Sequence, residues 1–131
     1  MNRLLSRLFA LLLVVVVGLV GCSPGANLSG NYRDDTLALV NSLRTAIELP
    51  EGTPEKMTAQ AEARQNIDDF FSLYRRDSSV SSLPSFTTMR TALDALAGHY
   101  RSYGNRPLSP KLKKRLEQEF RQVEAALKRG A

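Results

Sequence analysis

Beyond residue 31, the apolar side chains recur every three or four positions, and this spacing predicts a series of helices. The apolar positions of the first helix are Tyr32, Leu39, Val40, Leu43, Ala46 and Ile47. Pro50 and Gly52 end this helix. Thr53 and Pro54 then form a favourable N-cap and first-turn pair, so a second helix is predicted to begin there.

The second helix has its apolar stripe at Ala59, Ala63, Ile67, Phe70, Phe71 and Tyr74. The serine-rich segment 78–85 follows, and its composition with Pro84 predicts a loop, with Ser85 as the N-cap of a third helix. The third stripe is the most regular: Phe86, Met89, Leu93, Leu96, Tyr100 and Tyr103. Gly98 interrupts this helix, so we expect a close neighbour to compensate for its cost of about 1 kcal/mol relative to alanine.

Gly104 and Pro107 end the third helix, and the pair Ser109-Pro110 begins a fourth. The fourth stripe is Leu112, Leu116, Phe120, Val123 and Leu127. Its outer face offers three oppositely charged pairs at i, i+4 spacing: Lys113 with Glu117, Arg115 with Glu119, and Glu124 with Lys128. Short connections force neighbouring helices to run antiparallel, so we predict an all-α, up-down-up-down four-helix bundle over residues 32–131.

The first 21 residues differ from the rest and predict a cleaved export signal. Arg3 and Arg7 precede an apolar run that ends in Leu-Val-Gly-Cys at positions 19–22. This ending resembles a lipobox, in which Cys22 receives a diacylglycerol and becomes the new N-terminus. An uncleaved transmembrane helix is the alternative, but the run falls short of the roughly 20 apolar residues that a span needs. Residues 22–31, rich in Ser, Gly, Pro and Asn, predict a flexible tether.

The composition of the mature chain disfavours several classes of ligand and cofactor. Without Arg3 and Arg7 it holds 16 of the 18 Lys and Arg residues against 13 Asp and Glu, a formal net charge of +3, which is too mild to favour nucleic acid. Cys22 is the only cysteine, so no intrachain disulfide is possible. With one histidine besides, we expect no metal and no cofactor. The length fits one domain, and we expect a monomer.

Few residues qualify for catalysis, and we predict that the protein is not an enzyme. His99 lacks a nucleophile to activate and is expected on or near the surface. The adjacent acids Asp34-Asp35 and Asp68-Asp69 point about 100° apart on a helix, so they are expected to solvate a face. Aromatic side chains could line a slot for a cofactor, but their stripe positions place them in the core.

One charged segment breaks a local rule and is the candidate partner surface. We call it the basic corner, and it consists of Arg101, Arg106, Lys111, Lys113, Lys114 and Arg115. No acid interrupts it, although cations in the first turn of a helix oppose the helix dipole. Two alternatives stay open. The acidic residues Glu48, Glu51 and Glu55 could neutralise the corner, or a second set could face anionic lipids instead: Arg75, Arg76, Lys128 and Arg129.

Seven strings in the mature chain carry a resemblance to a known family. They are NYRDDTL (31–37), NSLR (41–44), YRRD (74–77), SFTTM (85–89), LAGHY (96–100), NRPL (105–108) and RLEQEF (115–120). In these strings the chain resembles the lumenal photosystem II assembly and repair lipoproteins of cyanobacteria. The resemblance implies a non-enzymatic four-helix bundle, held by its lipid on the lumenal face of the thylakoid membrane.

The resemblance also implies a partner. The chain would bind photosystem II intermediates, chiefly the large lumenal loop of a chlorophyll-binding inner antenna protein. It would assist assembly of the manganese-calcium cluster before the mature extrinsic subunits bind. The residues alone leave a different class open, a lipoprotein that carries a small ligand or pigment in a cavity between its helices.

Overall fold

The computed structural model describes residues 28–130, and every regular element in that range is a helix. The helices are α1 (Tyr32–Glu48), α2 (Pro54–Tyr74), α3 (Ser78–Ser81), α4 (Pro84–Tyr103) and α5 (Pro110–Lys128). The predicted signal, its cleavage site and Cys22 lie outside the described residues. Within residues 28–130, no helix is both long enough and apolar enough to span a bilayer.

The predicted N-caps of α2 and α5 are confirmed. The Thr53 hydroxyl accepts a hydrogen bond from the Lys56 backbone N–H at 3.2 Å, and the Ser109 hydroxyl accepts one from Leu112 at 3.1 Å. Each cap precedes a proline, whose fixed φ suits the first helical position and whose missing N–H is not needed there. These helices therefore begin where short-range chemistry places them.

The prediction for residues 78–85 is wrong in two respects. Asp77 caps the short helix α3, which interrupts the expected loop. Helix α4 begins at Pro84 with Leu83 in the N-cap position and no side-chain cap, because the proline presets the first turn and Leu83 packs against the core. Ser85 lies inside the helix instead, fully buried, with its hydroxyl 2.7 Å from the hydroxyl of Tyr32.

The predicted up-down-up-down bundle is confirmed. Helices α1 and α2 pack as one antiparallel pair, α4 and α5 pack as another, and the pairs join where α1 meets α5 and α2 meets α4. The N-terminus of α1, the segment 75–83 and the C-terminus of α5 therefore share one end, which we call the tether end. The loops 49–53 and 104–109 share the opposite end, the far end. Helices of 17 to 21 residues separate the two by about 25 to 30 Å.

The core is built from the predicted stripes, with an aromatic group near the tether end. Phe70 is fully buried, and its ring centroid lies 5.1 Å from that of Tyr74 and 6.2 Å from that of Phe86. These aromatic side chains fill the interior by contacting one another, as the stripes predict.

Two expectations for α4 are wrong. Tyr103 ends the stripe but is 58% exposed, because it lies in the last helical turn beyond the packed interior. A Cβ at Gly98 would meet nothing within 4 Å, so no close neighbour explains that glycine.

Candidate functional site

The basic corner lies at the far end of the bundle, and all six of its side chains are exposed. Arg101 is in the last turn of α4, where a cation suits the helix dipole. Arg106 belongs to the loop between α4 and α5. The other four side chains lie within the first six residues of α5, which has no acid in its first turn. The structure thus brings the six predicted residues to one end, on two helices and the loop that joins them.

The loop that carries Arg106 is held in place by its neighbours. The Arg64 guanidinium of α2 donates a hydrogen bond to the Asn105 side-chain oxygen at 2.8 Å and lies 5.0 Å above the Tyr100 ring. His99 Nε2 lies 2.9 Å from the Arg106 carbonyl oxygen, within hydrogen-bond distance. Leu108 is buried in the core. The corner therefore includes an ordered loop, and His99 contacts that loop through the Arg106 carbonyl oxygen.

One acid of the loop beside the corner, Glu51, is paired with a residue outside the corner. Glu51 pairs with the buried Lys56 ammonium at 2.7 Å, and Lys56 also donates to the carbonyl oxygens of Ile47 and Leu49, both at 3.0 Å. Among residues 28–130, the corner's one ion pair is between Arg115 and Glu119 at 2.7 Å. In the described part of the chain, the corner forms no ion pair with Glu48, Glu51 or Glu55.

A residue of α1, Arg44, pairs with two acidic residues of α5. Arg44 donates two hydrogen bonds to Glu117, at 3.0 and 3.1 Å, and one to Glu124 at 2.5 Å. The hydrogen bond from Arg44 lowers the pKa of Glu124. Of the three predicted i, i+4 pairs only Arg115 with Glu119 forms, and Lys113 of the corner has no acidic partner within the described range.

A second polar site lies at the tether end and was not predicted from the sequence. The Asp35 carboxylate is almost fully buried and accepts hydrogen bonds from the Ser29 backbone at 2.7 Å, the Ser29 hydroxyl at 2.8 Å and the Gly30 backbone at 3.1 Å. The Tyr74 hydroxyl of α2 donates a further bond. We call this group the Asp35 cluster. It corrects both the prediction that Asp34-Asp35 solvates a face and the prediction of a free tether up to residue 31.

The electrostatics of the Asp35 cluster favour the ionised carboxylate. Burial alone would raise the pKa of Asp35, but the hydrogen bonds from Ser29, Tyr74 and Gly30 outweigh it and lower the pKa below its usual value. Burial and the bond to Asp35 raise the pKa of Tyr74. The Ser-Gly-Asn turn before the helix was a local signal for such a cap, but Tyr74 lies 39 positions away from Asp35. No short-range pattern could identify it.

The other predicted acid pair differs from the first. Asp68 is exposed, whereas Asp69 is half-buried and accepts a hydrogen bond from Gln65 at 2.9 Å.

Within residues 28–130, no three His, Cys, Asp or Glu side chains come close enough together to hold a metal ion.

Comparison with known proteins adds the evolutionary context. A family model described as Photosystem II Pbs27 matches residues 10–127. The Photosystem II assembly factor lipoprotein Psb27 of Thermosynechococcus vestitus is 59% identical over 132 residues, covering 100% of this chain and 98% of the relative. The Photosystem II lipoprotein Psb27 of Synechocystis is 52% identical, covering 96% and 94%.

A solved structure agrees with these sequence matches. The solution structure of Psb27 from cyanobacterial photosystem II superposes with a TM-score of 0.77 at 50% identity, covering 84% of this chain and 96% of that one. The family model spans most of the chain, and both sequence relatives are matched along nearly their whole length. The chain therefore belongs to the photosystem II Psb27 family of lipoproteins.

Proposed function

We propose that this protein is a non-enzymatic assembly and repair factor for photosystem II, anchored by lipid to the lumenal side of the thylakoid membrane. The observation that carries the proposal is the family match over residues 10–127, together with relatives named as photosystem II assembly factors. The mature protein acts by binding intermediates of the complex. No step of this role requires a cofactor.

The anchor in this proposal is a diacylglycerol on Cys22, after cleavage between Gly21 and Cys22. Two features support it: both cyanobacterial relatives are named lipoproteins, and the Leu-Val-Gly-Cys string places the only thiol directly after the apolar run. Intact mass of the membrane-extracted protein tests it. A chain that retains residues 1–21, or carries no acyl group, would refute the anchor.

The partner surface in this proposal is the basic corner, and the partner is the lumenal loop of a chlorophyll-binding inner antenna protein. Six exposed cations form a single ion pair among the described residues and outnumber the exposed acids Glu48 and Glu55 of the far end, which leaves an excess of positive charge there. The hydrogen bonds to Asn105 and Arg106 fix the loop, which limits the ordering cost of binding. Through this contact the protein assists assembly of the manganese-calcium cluster before the extrinsic subunits arrive.

Charge reversal tests the partner surface. Arg101→Glu, Arg106→Glu and Lys111→Glu are introduced together, and binding to isolated photosystem II intermediates is measured in detergent. We expect weaker binding and a flatter dependence on salt, because surface charges mainly set association rate and specificity.

The matched control reverses three exposed cations of the tether end: Arg76→Glu, Lys128→Glu and Arg129→Glu. In detergent this control should bind like the wild type. If the corner variant binds normally while the control does not, the interface lies at the tether end and the assignment of the surface is wrong.

A further inference from the structure

The tether end carries a second positive surface, and a groove between α2 and α4 that is lined by Arg75, Arg76 and Arg101 connects it to the basic corner. Its five exposed cations lie in the first turn of α1, in the segment after α2 and at the C-terminus of α5. They are Arg33, Arg75, Arg76, Lys128 and Arg129. Between residues 28 and 130, none of the five takes part in an ion pair. The Arg75 guanidinium lies 4.2 Å from the centroid of the Phe71 ring, a cation–π contact that leaves its positive charge in place.

The acids at this end compensate only part of that positive charge. Asp35 is buried in its cluster, where four hydrogen bonds occupy the carboxylate. Asp77 caps α3, accepting bonds from the Ser79 backbone at 3.0 Å and the Ser79 hydroxyl at 2.6 Å. Asp34 is exposed. Asp68 is also exposed and lines a groove with Arg75 and Arg76, whereas Glu124, one turn from Lys128, is paired with Arg44. The five cations therefore outnumber the exposed acids Asp34, Asp68 and Asp77 at this end.

The Asp35 cluster sets how far this surface can lie from a lipid on Cys22. Because Ser29 and Gly30 are hydrogen-bonded to Asp35, only the seven steps from Cys22 to Ser29 remain to span the gap. Fully extended, they reach at most about 25 Å. The far end lies a further 25 to 30 Å away along the helices. The tether end is thus the part of the bundle nearest to the anchor.

An apolar side chain accompanies the cations. Leu73, in the last turn of α2, is 45% exposed. An excess of cations and an exposed apolar side chain at one end of the bundle, next to a lipid attachment, match the chemistry of the boundary between headgroups and acyl chains.

We propose that the tether end binds the anionic headgroups of the bilayer, and that the Asp35 cluster holds the chain exit so that this cationic end faces the membrane. The inference rests on the lipid anchor of the proposed function. Anionic lipid is the occupant because charge complementarity and the short tether both point to it. With the tether end on the bilayer, the basic corner projects into the aqueous space where a lumenal loop can reach it.

The test uses the mature protein, with the acyl group on Cys22 verified by mass, inserted into nanodiscs. The nanodiscs contain phosphatidylcholine alone or with phosphatidylglycerol, plus a gadolinium-chelating lipid in the headgroup layer. Paramagnetic broadening of backbone amide signals is compared between Gly130 at the tether end and Gly104 at the far end. We expect phosphatidylglycerol to increase broadening at Gly130 but not at Gly104, and added salt to remove the increase.

Two variants separate the charges from the cluster. Arg76→Glu, Lys128→Glu and Arg129→Glu together should abolish the effect of phosphatidylglycerol, whereas the corner reversals Arg101→Glu, Arg106→Glu and Lys111→Glu should leave it intact. Asp35→Asn should reduce the contrast between Gly130 and Gly104, because the released residues lengthen the tether.

The outcomes distinguish this inference from the function on which it rests. Equal broadening of Gly130 with and without phosphatidylglycerol, in a protein shown to be acylated, overturns the headgroup contact and leaves the anchor standing. An unacylated Cys22 overturns both. Loss of binding to photosystem II intermediates in the corner variant bears on the partner surface alone.

Discussion

At the scale of single residues, the buried carboxylate of Asp35 does most to define the tether end. It joins the segment before α1 to the C-terminus of α2 through Ser29, Gly30 and Tyr74. A carboxylate with several hydrogen bonds in a buried site is stabilised in its charged form. Its neighbour Asp34 is exposed and therefore serves as an internal control.

Asp35→Asn is expected to lower the free energy of unfolding by about 1 to 3 kcal/mol at neutral pH, because buried donors lose a charged acceptor. The folded pKa of Asp35 lies below the unfolded value of about 3.9. Its contribution is therefore fully present above that value and lost as pH falls through the folded pKa. Urea unfolding at pH 7 and at pH 3 measures this.

The control Asp34→Asn should cost less, about 0.3 to 1 kcal/mol from the helix dipole. If Asp35→Asn is no more destabilising than Asp34→Asn, the cluster does not stabilise the fold. A gap between the two variants that widens below pH 4 would show that the sign of the pKa shift is wrong.

At the scale of helices, local chemistry predicted the starts of α2 and α5 but not that of α4. Thr53 and Ser109 cap their own helices within three residues, so sequence neighbours suffice. Leu83 replaces a polar cap because its side chain packs on a core formed by distant residues. The same limit applies to charges. Arg44 donates a hydrogen bond to Glu117, 73 positions away in the sequence, and Arg64 donates one to Asn105, 41 positions away. Neither contact could be predicted from i, i+4 spacing.

Lys56 provides a test of helix termination. Its ammonium group is buried and donates to two carbonyl oxygens at the end of α1. Lys56→Met keeps the volume but leaves those acceptors without a donor, which should cost about 1 to 3 kcal/mol in chemical denaturation.

Lys113→Met, at an exposed position, is the matched control and should stay within about 0.5 kcal/mol of the wild type. Equal stability of the two variants would mean that solvent replaces Lys56 as the hydrogen-bond donor to the carbonyl oxygens at the C-terminal end of α1.

At the scale of the whole molecule, stability comes from one packed interior, and the proposed interaction surfaces lie at the two ends. The stripes predicted the interior because burial follows helical periodicity, and most charged residues lie outside it, although Asp35 and Lys56 are buried. The exposed basic corner was therefore visible in the sequence. The contacts that fix its loop and the cluster that shortens the tether were not, since both depend on how α2 packs against other elements.

Truncation of the core should be costly. Leu93 and Phe120 are buried, so Leu93→Ala or Phe120→Ala should lower the free energy of unfolding by about 2 to 5 kcal/mol, a large part of a small domain's stability. Chelators and reductants should leave the melting temperature unchanged. A melting temperature that falls on adding EDTA would contradict an interior stabilised by packing alone.

Cross-linking mass spectrometry on isolated photosystem II assembly intermediates tests whether the basic corner contacts the lumenal loop of the inner antenna protein. The mature chain has few lysines, and they mark different surfaces: Lys111, Lys113 and Lys114 in the corner, Lys128 at the tether end, and Lys56 in the interior. A lysine-reactive linker should join the corner lysines to the lumenal loop of the inner antenna protein. Cross-links to that loop from Lys128, with none from the corner lysines, would show that the tether end and not the basic corner contacts the partner.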